Sequence, residues 1–152
     1  MTRLALAVLF AVALAGCGGS SSDPAQPENA YLTGVRVDGA SVRFEFKSRP
    51  QLVSMGYAQP SQLSECGSGK PVPLRGSAFV VVHFQPAATA EIQGEKVVPT
   101  YTGPKRLSGT GPVLEAAKSC DFEADLGWAI GLERRLPLHL SRSGSTVTVS
   151  VG

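Results

Sequence analysis

The sequence predicts an all-β domain. Apolar and polar residues alternate at period two in several separate runs, no apolar stripe holds a helical period beyond two turns, and 17 glycines and 11 prolines punctuate the runs.

Taken in order, the first strand is expected at Leu32 to Val37 and the second at Val42 to Phe46. In the second, Val42, Phe44 and Phe46 alternate with Arg43 and Glu45 and share one face. Asp38-Gly39 lies between them at hairpin spacing. A third strand is expected at Gln51 to Tyr57. Phe79-Val80-Val81-Val82-His83-Phe84 is nearly continuous and β-branched, as a centrally buried strand is. Pro86 to Pro112 carries a polar stretch at Ala90 to Lys96, then Gly103-Pro104, Gly109 and Gly111-Pro112. It is expected to be a long surface excursion, a kind of segment that often carries function. Val113 to Asp121 and Leu126 to Glu133 follow. Leu126, Trp128, Ile130 and Leu132 share one parity, which places Trp128 in the core. Leu136, Leu138 and Leu140 alternate around His139. Val147, Val149 and Val151 alternate with Thr146, Thr148 and Ser150, and Arg142-Ser143-Gly144-Ser145 supplies the turn between these last two strands.

Ahead of the domain, Arg3 precedes an apolar run from Leu4 to Leu14, and Leu14-Ala15-Gly16-Cys17 closes it with small residues before a cysteine. The run is too short for a permanent transmembrane helix. The pattern resembles the lipobox of bacterial lipoproteins, which implies cleavage of residues 1–16 and acylation of the Cys17 thiol. Two or three acyl chains, each methylene contributing about 0.8 kcal/mol, make such an anchor effectively permanent. Residues 17–30 contain Gly, Ser, Pro, Asp and Gln at first, with no large apolar side chain from Gly18 to Asn29, and read as a tether. Residues 31–152 form the single folded domain. The expected location is the outer face of the cell membrane.

With Cys17 lipidated, Cys66 and Cys120 remain, and in an oxidising compartment a Cys66–Cys120 disulfide is expected. Closing so long a loop stabilises the fold by about 4 kcal/mol in the chain-entropy model. A metal role is disfavoured because there is no C-x-x-C and no zinc-type spacing. Once the leader, which holds Arg3, is removed, the charges nearly balance, and the cations are dispersed apart from the doublets Lys105-Arg106 and Arg134-Arg135. Nucleic acid is therefore not an expected partner.

The ordered series Val42-Arg43-Phe44-Glu45-Phe46, Gly67-Ser68-Gly69-Lys70-Pro71-Val72, Leu74-Arg75-Gly76-Ser77-Ala78, Tyr101-Thr102-Gly103-Pro104, Phe122-Glu123, Trp128-Ala129-Ile130-Gly131-Leu132 and Leu136-Pro137-Leu138 resembles the AMIN-like domain of exported actinobacterial lipoproteins. The resemblance implies an all-β sandwich of antiparallel strands. It also implies a non-catalytic module that binds envelope components, peptidoglycan in particular. It brings no catalytic residues and no cofactor.

Enzymatic alternatives find little support in the residues. The two imidazoles, His83 and His139, sit in apolar runs, and neither a G-x-S-x-G elbow nor an H-E-x-x-H helix is present. Gly67-Ser68-Gly69-Lys70 has a superficial likeness to a phosphate loop, but Pro71 stands where the magnesium-holding hydroxyl belongs, so a turn is expected. Asp121, Glu123 and Asp125 read as solvated acids entering a turn rather than as a catalytic carboxylate set. No metal site is expected.

Glycan recognition combines an exposed aromatic platform with polar groups. With Trp128 assigned to the core, the candidate contacts are Tyr101, its excursion neighbours Lys105 and Arg106, and Tyr57. The expected function is a lipid-anchored, non-catalytic envelope module with peptidoglycan or an associated wall glycan as ligand. The first alternative is a structural or adaptor lipoprotein that docks another envelope protein. The second is an extracytoplasmic hydrolase.

Overall fold

The structure, a computed structural model, describes residues 28–152. The lipobox, Cys17 and most of the tether lie outside the described residues. In chain order the strands are β1 (Ala30–Asp38), β2 (Ser41–Phe46), β3 (Leu52–Ala58), β4 (Ala78–Gln85), β5 (Ala87–Ala88), β6 (Ala90–Gln93), β7 (Lys96–Pro99), β8 (Arg106–Ser108), β9 (Val113–Phe122), β10 (Asp125–Leu132), β11 (Leu138–Ser143) and β12 (Thr146–Val151). A short 3-10 turn spans Pro60–Gln62.

One sheet has the order β11-β12-β2-β1-β5 and the other β3-β4-β10-β9-β8, while β6 and β7 form a separate hairpin. The all-β expectation holds. Antiparallel pairing prevails with one correction: Ala30 and Tyr31 of β1 run parallel to Ala87 and Ala88 of β5. The chain leaves β4 at Gln85 and passes through Pro86 to the edge of the opposite sheet, so β5 arrives there without the reversal that a hairpin would impose.

Period-two alternation explains why the sheets face each other. Val42, Phe44 and Phe46 of β2 and Val147, Val149 and Val151 of β12 turn inward from one sheet. Val80, Val82 and Phe84 of β4 and Leu126, Trp128, Ile130 and Leu132 of β10 do so from the other. Aromatic rings bridge the layers: Phe44 lies 4.9 Å from Phe84 and 5.8 Å from Trp128, and Phe46 lies 5.0 Å from Phe84, centroid to centroid. Each such side chain, fully buried, contributes about 1.5–3 kcal/mol.

Three elements differ from the sequence expectation. The 86–112 excursion is not bare loop, since it holds β5, the β6–β7 hairpin and β8. Leu136 is not in a strand; its N–H donates to the Tyr57 hydroxyl at 2.9 Å, and β11 starts two residues later. The last turn narrows to Gly144-Ser145, with Gly144 at φ 56°.

β10 is buried on both faces. Its large residues face the core, and Gly127, Ala129 and Gly131 face a second layer made by residues 59–77. A Cβ on Gly131 would sit 2.0 Å from the Arg75 carbonyl oxygen, and one on Gly76 would sit 2.3 Å from the Leu132 oxygen, so this cover lies directly on the strand backbone. Leu63 and Val72, both buried, fill the space beneath it. The Cys66–Cys120 disulfide, with its Cα atoms 5.0 Å apart, fastens the cover to β9.

Candidate functional site

Beside that disulfide opens a cleft of about 370 Å³ lined by Glu65, Cys66, Lys105, Lys118, Ser119, Cys120, Asp121 and Phe122. β8 covers β9 only from Glu115 to Ala117, so beyond it the edge of β9 from Lys118 to Phe122 borders the opening. Phe122 ends β9 just before a tight turn and is 58 % exposed. It is the one aromatic side chain among the residues lining the cleft, and Lys118, Asp121 and Glu65 bring polar groups to the same lining.

Asp121 ties the start of the excursion to β9. The Thr89 hydroxyl and backbone N–H donate to its carboxylate, and Lys118 Nζ lies 2.7 Å from its Oδ2. Burial alone would raise the carboxyl's pKa, but the hydrogen bonds from Lys118 and Thr89 outweigh it and hold the pKa below its ordinary value. The Lys118 charge is thus matched within the cleft. Lys105 makes no ion pair among the described residues, so its ammonium group is the uncompensated cation there.

Of the four residues proposed from sequence as ligand contacts, one, Lys105, lines this cleft. Arg106, its neighbour, stays at the surface but is engaged by the protein itself: Nη1 donates to the Pro73 carbonyl at 2.9 Å and lies 2.8 Å from Glu115, clamping β8 to the cover. Tyr57 donates its hydroxyl proton to the Leu136 carbonyl, and the Arg135 guanidinium stacks 4.0 Å from its ring centroid. Tyr57 sits on β3 and Arg106 on β8, at opposite edges of one sheet, about 19 Å apart across four strand spacings. Tyr101 is half-buried, with its ring packed against Trp128 and its hydroxyl donating to the Pro104 carbonyl at 2.7 Å. Burial raises its pKa.

The histidines lie in different sheets. His139 Nε2 lies 3.1 Å from the Gly152 carbonyl oxygen. His83 Nδ1 lies 2.9 Å from Asp125 Oδ1, in a cavity of about 200 Å³ to which Ser64 and Ser119 also contribute. No hydroxyl hydrogen-bonds the His83 ring among the described residues, so the pair lacks an engaged nucleophile. Asp121 lies opposite the core residue Leu126, and Asp125 lies opposite Phe122, so the two carboxylates leave the β9–β10 ribbon on opposite faces. Among the described residues, no three His, Cys, Asp or Glu side chains gather into a possible metal site. Gly67-Ser68-Gly69-Lys70 is a turn, with Gly67 and Gly69 at positive φ.

Sequence reasoning missed Phe122 and Lys118. Phe122 continues the β9 pattern, and nothing local marks its exposure. The available signal was the alternation of large and small residues in β10, which announces a second covering layer and hence a rim beside it.

A family-model comparison matches residues 31–151 to the AMIN-like domain. No curated protein and no solved structure matched the chain in the corresponding comparisons. AMIN-like domains are generally non-catalytic binding modules connected with the cell wall. Because the match spans nearly the whole described domain and its all-β architecture agrees, this chain belongs to the AMIN-like domain family.

Proposed function

We propose that this protein is a non-catalytic binding module held at the outer face of the cell membrane by lipid on Cys17, and that it recognises peptidoglycan or an associated wall glycan. The cleft carries the reading. An exposed aromatic face such as Phe122 covers the apolar side of a sugar ring, while Glu65, Ser119 and the Lys118–Asp121 pair exchange hydrogen bonds with hydroxyls. The unpaired Lys105 ammonium group suits a carboxylate on a stem peptide or acidic sugar.

Co-sedimentation of the detergent-solubilised protein, disulfide intact, with purified peptidoglycan tests this reading. Saturable binding is expected, abolished in a reduced and unfolded control and weakened about tenfold by Phe122→Ser or Lys105→Ala, the scale of one lost contact. Binding that is absent, or indifferent to both substitutions, overturns it.

One observation favours the adaptor reading. β11 pairs with β12 on one side and is an outer strand of its sheet, with Leu140 exposed on it. Such an edge accepts an added strand from a partner protein. Whole-cell crosslinking from Ser141→Cys that captures one envelope protein reproducibly would support this reading over the glycan.

A further inference from the structure

We infer that the end of the sandwich at which the chain enters is a lipid-contacting surface, with one outward face of the β6–β7 hairpin as its apolar part; this inference rests on the lipid-anchored reading above. The entry point is Ala30, which pairs with Ala87. Lys47 N–H donates to the Tyr31 carbonyl at 2.8 Å, and Lys47 Nζ lies 2.8 Å from Glu91 of β6, so the hairpin is fastened beside the incoming chain. Ala87 N–H donates to the Ala124 carbonyl at 2.8 Å, which brings the β9–β10 turn to the same end. β3 begins there too, because Leu52 pairs with Gln85 at the end of β4.

Large apolar side chains that stand open to solvent gather at this end. Among the described residues they are Leu52 (56 % exposed), Ile92 (77 %), Val97 (70 %), Phe122 and Leu140, and Leu140 alone lies elsewhere, on β11. Phe122 borders the glycan cleft, which leaves Leu52, Ile92 and Val97. In the hairpin register Ile92 faces Val97 and Ala90 faces Pro99, so these four make one apolar face. Glu91, Gln93, Lys96 and the half-buried Val98 lie on the other.

A bilayer surface is the occupant that fits. The stretch from Cys17 to Glu28 would hold the domain about 18 Å from its anchor on average and no more than about 36 Å at full stretch. The hairpin therefore spends its time within reach of the lipid headgroups. Aliphatic side chains with no aromatic or charged group among them suit acyl chains rather than a sugar. They would sit at the headgroup–acyl boundary, as interfacial anchors do.

The test uses the full lipidated chain, reconstituted in phosphatidylglycerol–phosphatidylethanolamine vesicles with a fraction of bromine-labelled acyl chains. Ile92→Trp and Val97→Trp are compared with Leu140→Trp, after subtraction of the emission of Trp128, which is shielded in the core. Bromine is expected to reduce the emission at 92 and 97 by about twofold or more and to leave 140 unaffected, as insertion to the acyl boundary requires. Unquenched emission from protein that floats with the vesicles overturns the inference and leaves the anchor standing. A blue shift that rises with protein surface density, without quenching, overturns it in favour of self-association. Protein that does not float overturns the anchor, and this inference with it.

Discussion

The Tyr101 ring stands nearly perpendicular to the Trp128 ring, at an interplanar angle of 82° and a centroid separation of 6.0 Å. This contact makes Tyr101 a plug over the sandwich core rather than a free platform. Gly103 lies against the same side chain, since a Cβ there would fall 2.7 Å from two ring carbons and the hydroxyl oxygen of Tyr101. Tyr101→Ala is expected to lower the unfolding free energy by about 3 kcal/mol, the range for removing a packed aromatic ring. Tyr101→Phe removes only the hydroxyl bond to Pro104, at about 1 kcal/mol. Urea denaturation of both variants checks the pair, and a cost for Tyr101→Ala no larger than for Tyr101→Phe would refute the plug.

Glu115 joins three segments, and its charge state links the fold to pH. It is buried, Arg106 Nη1 lies 2.8 Å from one carboxylate oxygen, and the Arg75 N–H donates to the other at 2.9 Å. Burial pushes its pKa up, but the Arg106 and Arg75 hydrogen bonds prevail and hold it below the ordinary 4.5. A carboxyl with a lowered folded pKa stabilises the fold fully above its unfolded value and loses that contribution as pH falls through the folded one. Stability measured from pH 7 downward should therefore decline below about pH 4.5. Glu115→Gln should cost about 2 kcal/mol at neutral pH and flatten that acid limb. An unchanged acid limb in the variant would show that Glu115 does not carry it.

The disulfide fastens a cover, and this makes its removal a local event before a global one. Cys66 N–H donates to the Ser119 carbonyl at 3.0 Å and Val72 N–H to the Leu63 carbonyl at 2.8 Å, so the cover has its own hydrogen bonds but little core. Cys66→Ser with Cys120→Ser is expected to cost about 4 kcal/mol. Hydrogen exchange should then quicken more at position 66 and at Val72 than at the amides of β4 and β10. Uniform acceleration across both groups would mean that the cover and the sandwich open as one unit.

Strands were legible where one face is buried and the other wet. The alternations of β2 and β12 and the continuous run of β4 are direct consequences of the two inner faces, and the tight turn after β1 follows from Gly39 at φ 54°. Strand order was not legible, because pairing partners are chosen by contacts distant in sequence. β5 is two residues long and carries no pattern. The Ala90 to Pro99 hairpin was hidden because its apolar pair, Ile92 and Val97, faces outward instead of alternating into a core. Of the candidate site, Lys105 was found through its place in a glycine- and proline-rich excursion. Tyr57 and Arg106 carry polar groups that suit ligand contact equally well, and only the fold reveals that backbone carbonyls occupy them.

The β9–β10 turn departs from the rule that would have predicted it. Glu123 and Ala124 both adopt positive φ, 49° and 60°, between the paired residues Phe122 and Asp125. Two successive left-handed residues are the geometry of a two-residue hairpin whose preferred sequence is Asn-Gly, because an ordinary Cβ there meets the neighbouring carbonyl at a cost of about 1–2 kcal/mol per residue. Glycine also frees the unfolded chain, which returns about 0.4–1 kcal/mol of the gain. Glu123→Asn with Ala124→Gly is therefore expected to raise the unfolding free energy by about 1 kcal/mol. The urea midpoint should move up at unchanged slope, since the surface exposed on unfolding stays the same. A midpoint that falls instead would mean that the Glu123 and Ala124 side chains contribute more at this end of the sandwich than their backbone conformation costs.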